Sequence, residues 1–310
     1  MRFDPQIITE SINLFMNDMT YRNIARHIKA IHDISVSHVA VYQWIKKYME
    51  VIREYVDSLV PELGEVWSLD EMMLNVKDTK PIPKKGFYDW VWTIIDPKTK
   101  FVLATEVSKR REISDARKIV VRGKEISKPN YVITDSLRTY EDAIRKELDN
   151  RKTAHIKTKS LSDGFQNRPI KRYHNEIREK LKARCGMGNS ESAKRFTEAY
   201  RVYHNFCRNH TGLEDNKTPA EAAGIDLKLW HNKIKYLITK STEAKNYNFA
   251  VQLGKRIEKV SISNERDCVK VSCKGWMERQ TWREINDILR LNGFSWLSSG
   301  KDSCWLKPTS

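Results

Sequence analysis

The run VWSLDEMML (66–74), read against NYVITD (130–135), decides the fold. Each is an apolar, β-rich segment carrying an aspartate, with Asp70 in the middle of the first and Asp135 at the end of the second. A carboxylate in an apolar strand is costly to bury unless it is paired, hydrogen-bonded or bound to a metal, so both positions require a partner. Singly, either would serve as a strand-edge or helix-capping residue; the pair points to chemistry. Around them, EVWSLDEMMLNV (65–76), FYDWVWTIID (87–96) and KFVLATEVS (100–108) read as three consecutive strands, bounded by the Pro81–Pro83 loop and the Pro97–Thr99 turn. A helical stretch around Ala116 leads to the fourth strand. A helix over 137–148, a short strand near His155 and two long helices, over 168–184 and 190–207, follow. The order β-β-β-α-β-α-β-α predicts an α/β mixed sheet with helices on its faces.

Upstream, Ile7 to Phe15, then Ile24, Ile28 and Ile31, then Val41, Ile45 and Tyr48 recur at helical spacing and predict three short helices. Ser37, in HDISVSH (32–38), is placed to cap the third by accepting a backbone N–H bond, which makes the segment a helix-turn-helix candidate. In that reading His38 and Gln43 reach base edges of double-stranded DNA, and Lys46 and Lys47 its phosphates. A plain three-helix bundle for dimerisation or packing is the alternative, since residues 1–60 carry seven basic and seven acidic side chains. Downstream, TPAEAAGI (218–225) closes the α/β unit and polar, linker-like sequence continues to residue 245. The tail reads as a small α+β module: strands KVSIS and CVKVSC, a helix through TWREINDILRLNG, and GFSWLSSGKDSCWLKP as a hairpin with a Gly-Lys-Asp turn. Trp276, Trp282, Trp296 and Trp305 are its expected core and rim rather than a base-stacking platform. The expected domains are 1–58, 62–225 and 246–310.

A net charge of +16 and a pI near 9.5 suit a polyanionic partner, an anionic membrane surface or solubility alone. The excess lies in the second half, with fifteen Lys or Arg against seven Asp or Glu over 151–215 and sixteen against eight over 228–310. No run approaches the roughly 18 apolar residues of a membrane span, and MRFDPQIITE lacks a signal-peptide core, so a cytoplasmic, nucleoid-associated protein is expected. Five scattered cysteines (Cys185, Cys207, Cys268, Cys273, Cys304) form no paired knuckles and read as reduced thiols. His204, Cys207 and His210 have a metal-like spacing but lack further ligands, which favours packing.

Residues 5–225 resemble the DDE transposases of prokaryotic insertion sequences, in the RNase H-like, retroviral-integrase superfamily. The resemblance rests on a helix-turn-helix ahead of W-S-L-D-E (67–71), on V-I-T-D-S-L-R-T-Y (132–140) and on Q-N-R-P-I-K-R-Y-H (166–174). G-M-G-N-S-E-S-A (186–193), H-N-F-C-R-N-H (204–210) and K-T-P-A-E-A-A-G-I (217–225) are similar to the family's helical tail. An RNase H-like topology makes the first and fourth strands neighbours, so that Asp70 and Asp135 meet and need a cation between them. The resemblance implies that both bind Mg²⁺ or Mn²⁺. Two ions would serve end cleavage and strand transfer on element ends and target DNA by a homo-oligomer, with no membrane partner.

The departure comes at the third acid. The family pattern, N-x-x-x-E-R-x-H, places a glutamate where Lys171 stands between Asn167 and His174, with thirty-five residues separating it from Asp135. A lysine ammonium cannot ligate magnesium. Glu176 as substitute is roughly 140° around the helix from Lys171, and Glu179 is nearer in angle but about 12 Å along the axis. The remaining reading is lost or weakened catalysis on a retained fold, which would leave a DNA-binding protein; an RNase H-like nuclease without strand transfer is a further alternative. Lys157 and Lys159 with Arg172, Arg178, Lys180, Lys182 and Arg184 form a basic strip suited to a DNA backbone or, more blandly, a solvated helix face.

Overall fold

The computed structural model describes residues 3–77, 88–148, 151–158, 168–182, 184, 186–229, 231–264, 268–300 and 303–308. The Pro81–Pro83 loop, Lys159, Gln166, Asn167, Cys185 and the Lys301–Asp302 part of the last turn lie outside these. The chain divides into two compact units, Thr9–Tyr236 and Met1–Ile8 with Leu237–Ser310.

Three helices come first in the chain: α1 (Pro5–Met16), which is in the larger unit from Thr9 onward, α2 (Tyr21–His32) and α3 (His38–Val56). Thr20 and Ser37 cap α2 and α3 by accepting from the backbone N–H groups of Asn23 and Ala40, and Asp33, left-handed at φ 54°, ends α2. Ile24, Ile28, Val41, Ile45 and Tyr48 are buried as their spacing predicts, whereas Ile31 is 63% exposed because the last turn of α2 projects past that core. The third helix is not short: Met49, Ile52 and Val56 prolong its buried face to 19 residues.

The sheet is the RNase H-like one. Strands β1 (Val66–Asn75), β2 (Tyr88–Ile95) and β3 (Val102–Ser108) form an antiparallel meander, and β4 (Tyr131–Thr134) and β5 (Ala154–Lys157) continue it in parallel, in the order β3-β2-β1-β4-β5. Helices α4 (Ile113–Ile126), α5 (Arg138–Glu147), α6 (Arg168–Lys182), α7 (Ser190–Val202) and α8 (Pro219–Ala222) accompany it. Trp67 and Trp92 are wholly buried in its core. Gly123 lets α4 approach the sheet: a Cβ there would lie 2.6 Å from Ile94 Cδ1 and 2.9 Å from the Trp67 ring. After α7 the chain loosens into a π-turn (Tyr203–Cys207), and this aims Asn205 at the edge strand, where its amide pairs with both the N–H and the C=O of Val102, each at 2.9 Å.

The segment expected as a linker is instead helical, α9 (Lys233–Leu253), with Ile234, Leu237 and Ser241 buried at helical spacing. Its polar composition hid a narrow apolar stripe. The tail module has the expected elements: β6 (Val260–Asn264), β7 (Cys268–Cys273), α10 (Arg279–Leu291), β8 (Ser295–Leu297) and β9 (Cys304–Pro308), in an antiparallel sheet ordered β6-β7-β9-β8. Val269, Val271, Ile285, Leu289 and Trp305 form its core. Trp305 donates to Asn286 at 3.0 Å, and Trp282 and Trp296 pack against it, while Trp276 is 91% exposed. Cys207, Cys268, Cys273 and Cys304 are free thiols. No helix among the described residues is long and apolar enough to cross a membrane.

Candidate metal centre

Strands β1 and β4 run parallel with Val66, Trp67 and Ser68 opposite Tyr131, Val132 and Ile133. Extending that register by two residues brings Asp70 level with Asp135, one residue past the end of β4. The two aspartates predicted to meet do so, and Glu71 joins them: carboxylate oxygens of Asp70, Glu71 and Asp135 all lie within 4.8 Å of one another.

Each is held differently. Asp135 Oδ1 accepts the Leu137 N–H at 2.9 Å, which fixes the turn into α5. Asp70 lies 3.5 Å from His174 Nδ1 on α6, and the other nitrogen of that buried imidazole bonds Thr93 Oγ1 at 3.0 Å. Glu71 is buried, with the Tyr140 hydroxyl and the Arg111 guanidinium donating to its carboxylate. Arg111 also lies over the Trp90 ring. Burial pushes the Glu71 carboxyl above the usual range, Asp135 and Asp70 add to this, and Tyr140 and Arg111 offset it only in part.

Sequence reasoning passed over Glu71 although it lies in the W-S-L-D-E motif. Consecutive strand residues point to opposite faces, so Asp70 and Glu71 are not expected to converge. Their oxygens approach only because Glu71 is drawn to Tyr140 and Arg111, two partners that no local pattern discloses.

Glu176 is not among the converging carboxylates. Burial raises its pKa, but donation from Arg208 and Tyr200 outweighs this and holds it below the usual range. Glu179 is exposed and paired with Lys182 at 2.6 Å. Lys171, exposed on α6, has no hydrogen bond or ion pair among the described residues. It precedes His174 by three residues and so shares that side of the helix, one turn toward the N-terminus. The Asn167 that opens the family pattern lies outside the described residues.

His38, Gln43, Lys46 and Lys47 are all exposed on α3. Lys157 pairs with Glu141, Arg178 bonds Asn175 and Lys182 bonds Glu179; these three and Arg172 are exposed. His204 is buried with Nε2 donating to the Lys100 carbonyl, and burial raises the Cys207 thiol to about 12. Among the described residues the three aspartate and glutamate side chains at 70, 71 and 135 are the group that could hold a metal; His204, Cys207 and His210 are not part of one.

The donors suit a divalent cation. They are hard carboxylate oxygens, and Asp70 and Asp135 are half-buried, which leaves room for water or phosphate oxygens beside them. Three carboxylates this close repel one another, and Arg111 is the one guanidinium described on the cluster, bonded to Glu71 and not to either aspartate.

A family model described as a DDE domain matches residues 64–210. No curated protein matches the chain. Among solved structures, the chain is similar to one in the simian T-cell lymphotropic virus intasome in complex with PP2A regulatory subunit B56 gamma. Identity there is 14%, coverage 54% of this chain and 55% of that one, and the TM-score 0.39, so the chain spans about half the length of that relative. It is also similar to the catalytic core domain of BIV integrase (13% identity, 51% of this chain and 93% of that chain, TM-score 0.38). The HTLV-2 integrase catalytic core domain in complex with magnesium is similar too (11%, 53% and 98%, TM-score 0.37). Residues 64–210 therefore match a DDE domain, and the strand order and the paired aspartates of that same stretch agree with the match.

Proposed function

We propose that this protein is an insertion-sequence transposase by descent that still binds double-stranded DNA, with end cleavage and strand transfer weakened or lost. The observation that carries the reading is Lys171. It stands where the family pattern has a glutamate, one turn from the His174 that touches Asp70, and it offers no lone pair to a metal. Asp70 and Asp135 would hold Mg²⁺ or Mn²⁺, two ions in the active ancestor. Such ions, when bound, supply activation of an attacking oxygen and stabilisation of a leaving one at a phosphodiester. The chain's own residues do the rest: Leu137 N–H orients Asp135, and His174, fixed by Thr93, stands against Asp70.

In this reading α3 is the recognition helix of a helix-turn-helix, with His38 and Gln43 toward base edges and Lys46 and Lys47 toward phosphates. Lys157, Lys159, Arg172, Arg178 and Lys182 track the DNA backbone. Residues 1–58, 62–225 and 246–310 are then the DNA-binding, DDE and accessory parts, and holding two element ends calls for a homo-oligomer. Affinity for the DNA flanking the gene, measured against scrambled duplex across a salt series with and without Mg²⁺, tests this. The expected result is metal-independent, sequence-selective binding with a steep salt slope that flattens by roughly one unit for each of Lys46→Ala and Lys47→Ala. Equal affinity for all sequences would refute it.

A second reading is favoured by Glu71. A third carboxylate does stand within 4.8 Å of both aspartates. Held there by Arg111 and Tyr140, Glu71 would complete an acidic triad, and the chain would be an active transposase with its third acid moved from the helix to the first strand. Glu176, held by Arg208 and Tyr200, would need a rearrangement to take that part.

A further inference from the structure

Between α3 and α7 the larger unit contains a cleft of about 800 Å³, the size of a small-ligand site. Its wall is aromatic. Tyr21 stacks on Phe15 at 5.0 Å, Tyr42 stands edge-on to Tyr21 at 5.5 Å, and the Tyr42 hydroxyl accepts from Arg195 at 3.2 Å, which fixes its half-buried ring in place. A ring so held loses little freedom when a flat ligand stacks on it.

The charges on the lining do not cancel. Six of its residues are Lys or Arg and four are Glu. Each carboxylate is already matched: Glu50 to Arg53 at 2.6 Å, Glu106 and Glu198 to Arg122 at 3.0 and 2.8 Å, and Glu191 to Arg195 at 2.8 Å. Lys46 has no partner among the described residues, and Lys194, half exposed, reaches Glu106 only at 3.7 Å. Arg184 is 8% exposed and lies against the Phe15 and Phe196 rings, and its Nε is buried without an acceptor. The cleft therefore offers a fixed aromatic face and two cations at its rim. That is the chemistry of a planar, anionic ligand.

Lys46 identifies the source of that ligand, because it lies both on the cleft and on the exposed side of α3 with Gln43 and Lys47. We propose that the cleft takes one deoxynucleotide of the bound DNA, its base against Tyr42 and its phosphate toward Lys46 and Lys194. This rests on the DNA-binding reading above. Taking a base out of the stack costs a few kcal/mol and is easiest at an unpaired or frayed end, where the stacking on an aromatic ring can offset it.

The test uses the full chain, with dAMP and deoxyadenosine as free probes titrated by NMR saturation transfer and duplex affinity measured alongside. The wild type is expected to bind dAMP more tightly than deoxyadenosine. Tyr42→Ala should weaken both by about fivefold or more, the loss of one stacked base. Lys194→Glu, a surface change that leaves folding intact, should weaken dAMP alone, and Ala199→Trp should block both by filling the space. Duplex binding without any dAMP binding, or dAMP affinity unmoved by Tyr42→Ala and Lys194→Glu, overturns the cleft as a nucleotide site while leaving the DNA reading standing. Tyrosine- and lysine-dependent dAMP binding without duplex affinity overturns the DNA reading and, with it, the assignment of the cleft to bound DNA.

Discussion

Arg201→Met should destabilise the larger unit by about 3 kcal/mol at neutral pH. Arg201 is 4% exposed and lies between the end of α3 and the core, with Nη2 2.6 Å from Asp57 and Nε 2.8 Å from Glu198. Glu198, itself 9% exposed on the side chain, passes the charge on to Arg122 at 2.8 Å. Burial raises the Glu198 carboxyl, yet Arg201 and Arg122 bring it down to about 2 from 4.5. That shift corresponds to about 3 kcal/mol of preference for the ionised form, supplied by Arg201 and Arg122 together. Because the folded pKa is depressed, this stability is present above the unfolded value near 4.5 and is lost as pH falls through about 2. Removing Arg201 leaves a buried carboxylate with one partner instead of two. Urea denaturation at pH 7 measures the loss, and adding Glu198→Gln should restore at least about 1 kcal/mol by removing the uncompensated charge. A single variant within about 0.5 kcal/mol of wild type, or a double variant no better than the single, would refute the argument.

Burial lowers the His204 imidazole from 6.5 to about 4, so the unfolded chain takes up a proton first as pH falls. Stability should drop by about 2.5 kcal/mol between pH 7 and 4.5 in wild type and by clearly less in His204→Gln, compared by urea midpoints at the two pH values. Gly123→Leu should cost at least about 2 kcal/mol, seen as a lowered melting temperature, since even a Cβ meets Ile94 and Trp67 within 3 Å. Asn205→Ala should cost about 2 kcal/mol and speed hydrogen exchange at the Val102 amide, because both backbone groups of Val102 lose their partner.

Much of this molecule is legible in its sequence where signals are local and repeat. The β-rich apolar runs between Val66 and Ser108, bounded by proline-containing turns, locate the meander, Ser37 marks the start of α3, and VITD places Asp135 beside Asp70 once the topology is assumed. What escaped reading depends on contacts between distant parts of the chain. Glu71 enters the cluster through Tyr140, 69 residues on, and Arg111, 40 residues on. Glu176, the nearest acid in sequence to the expected position, is drawn to Tyr200 and Arg208 on the following helix and π-turn. The α9 helix was missed for a different reason: buried positions such as Ile234, Leu237 and Ser241 are too sparse a stripe in a polar, 21-residue segment to outweigh its composition.

The most direct test of the central claim is Mg²⁺- and Mn²⁺-dependent end cleavage and strand transfer on the DNA flanking the gene. Wild type would be compared with Lys171→Glu, with Lys171→Glu/Asp70→Ala as the control for a new, metal-dependent activity. Activity in Lys171→Glu alone, absent from wild type and from the double variant, is the result expected of a transposase disarmed at its third acid. Activity in the wild type that Asp70→Ala abolishes would contradict it, and Glu71→Gln beside Glu176→Gln would then show which carboxylate completes the site.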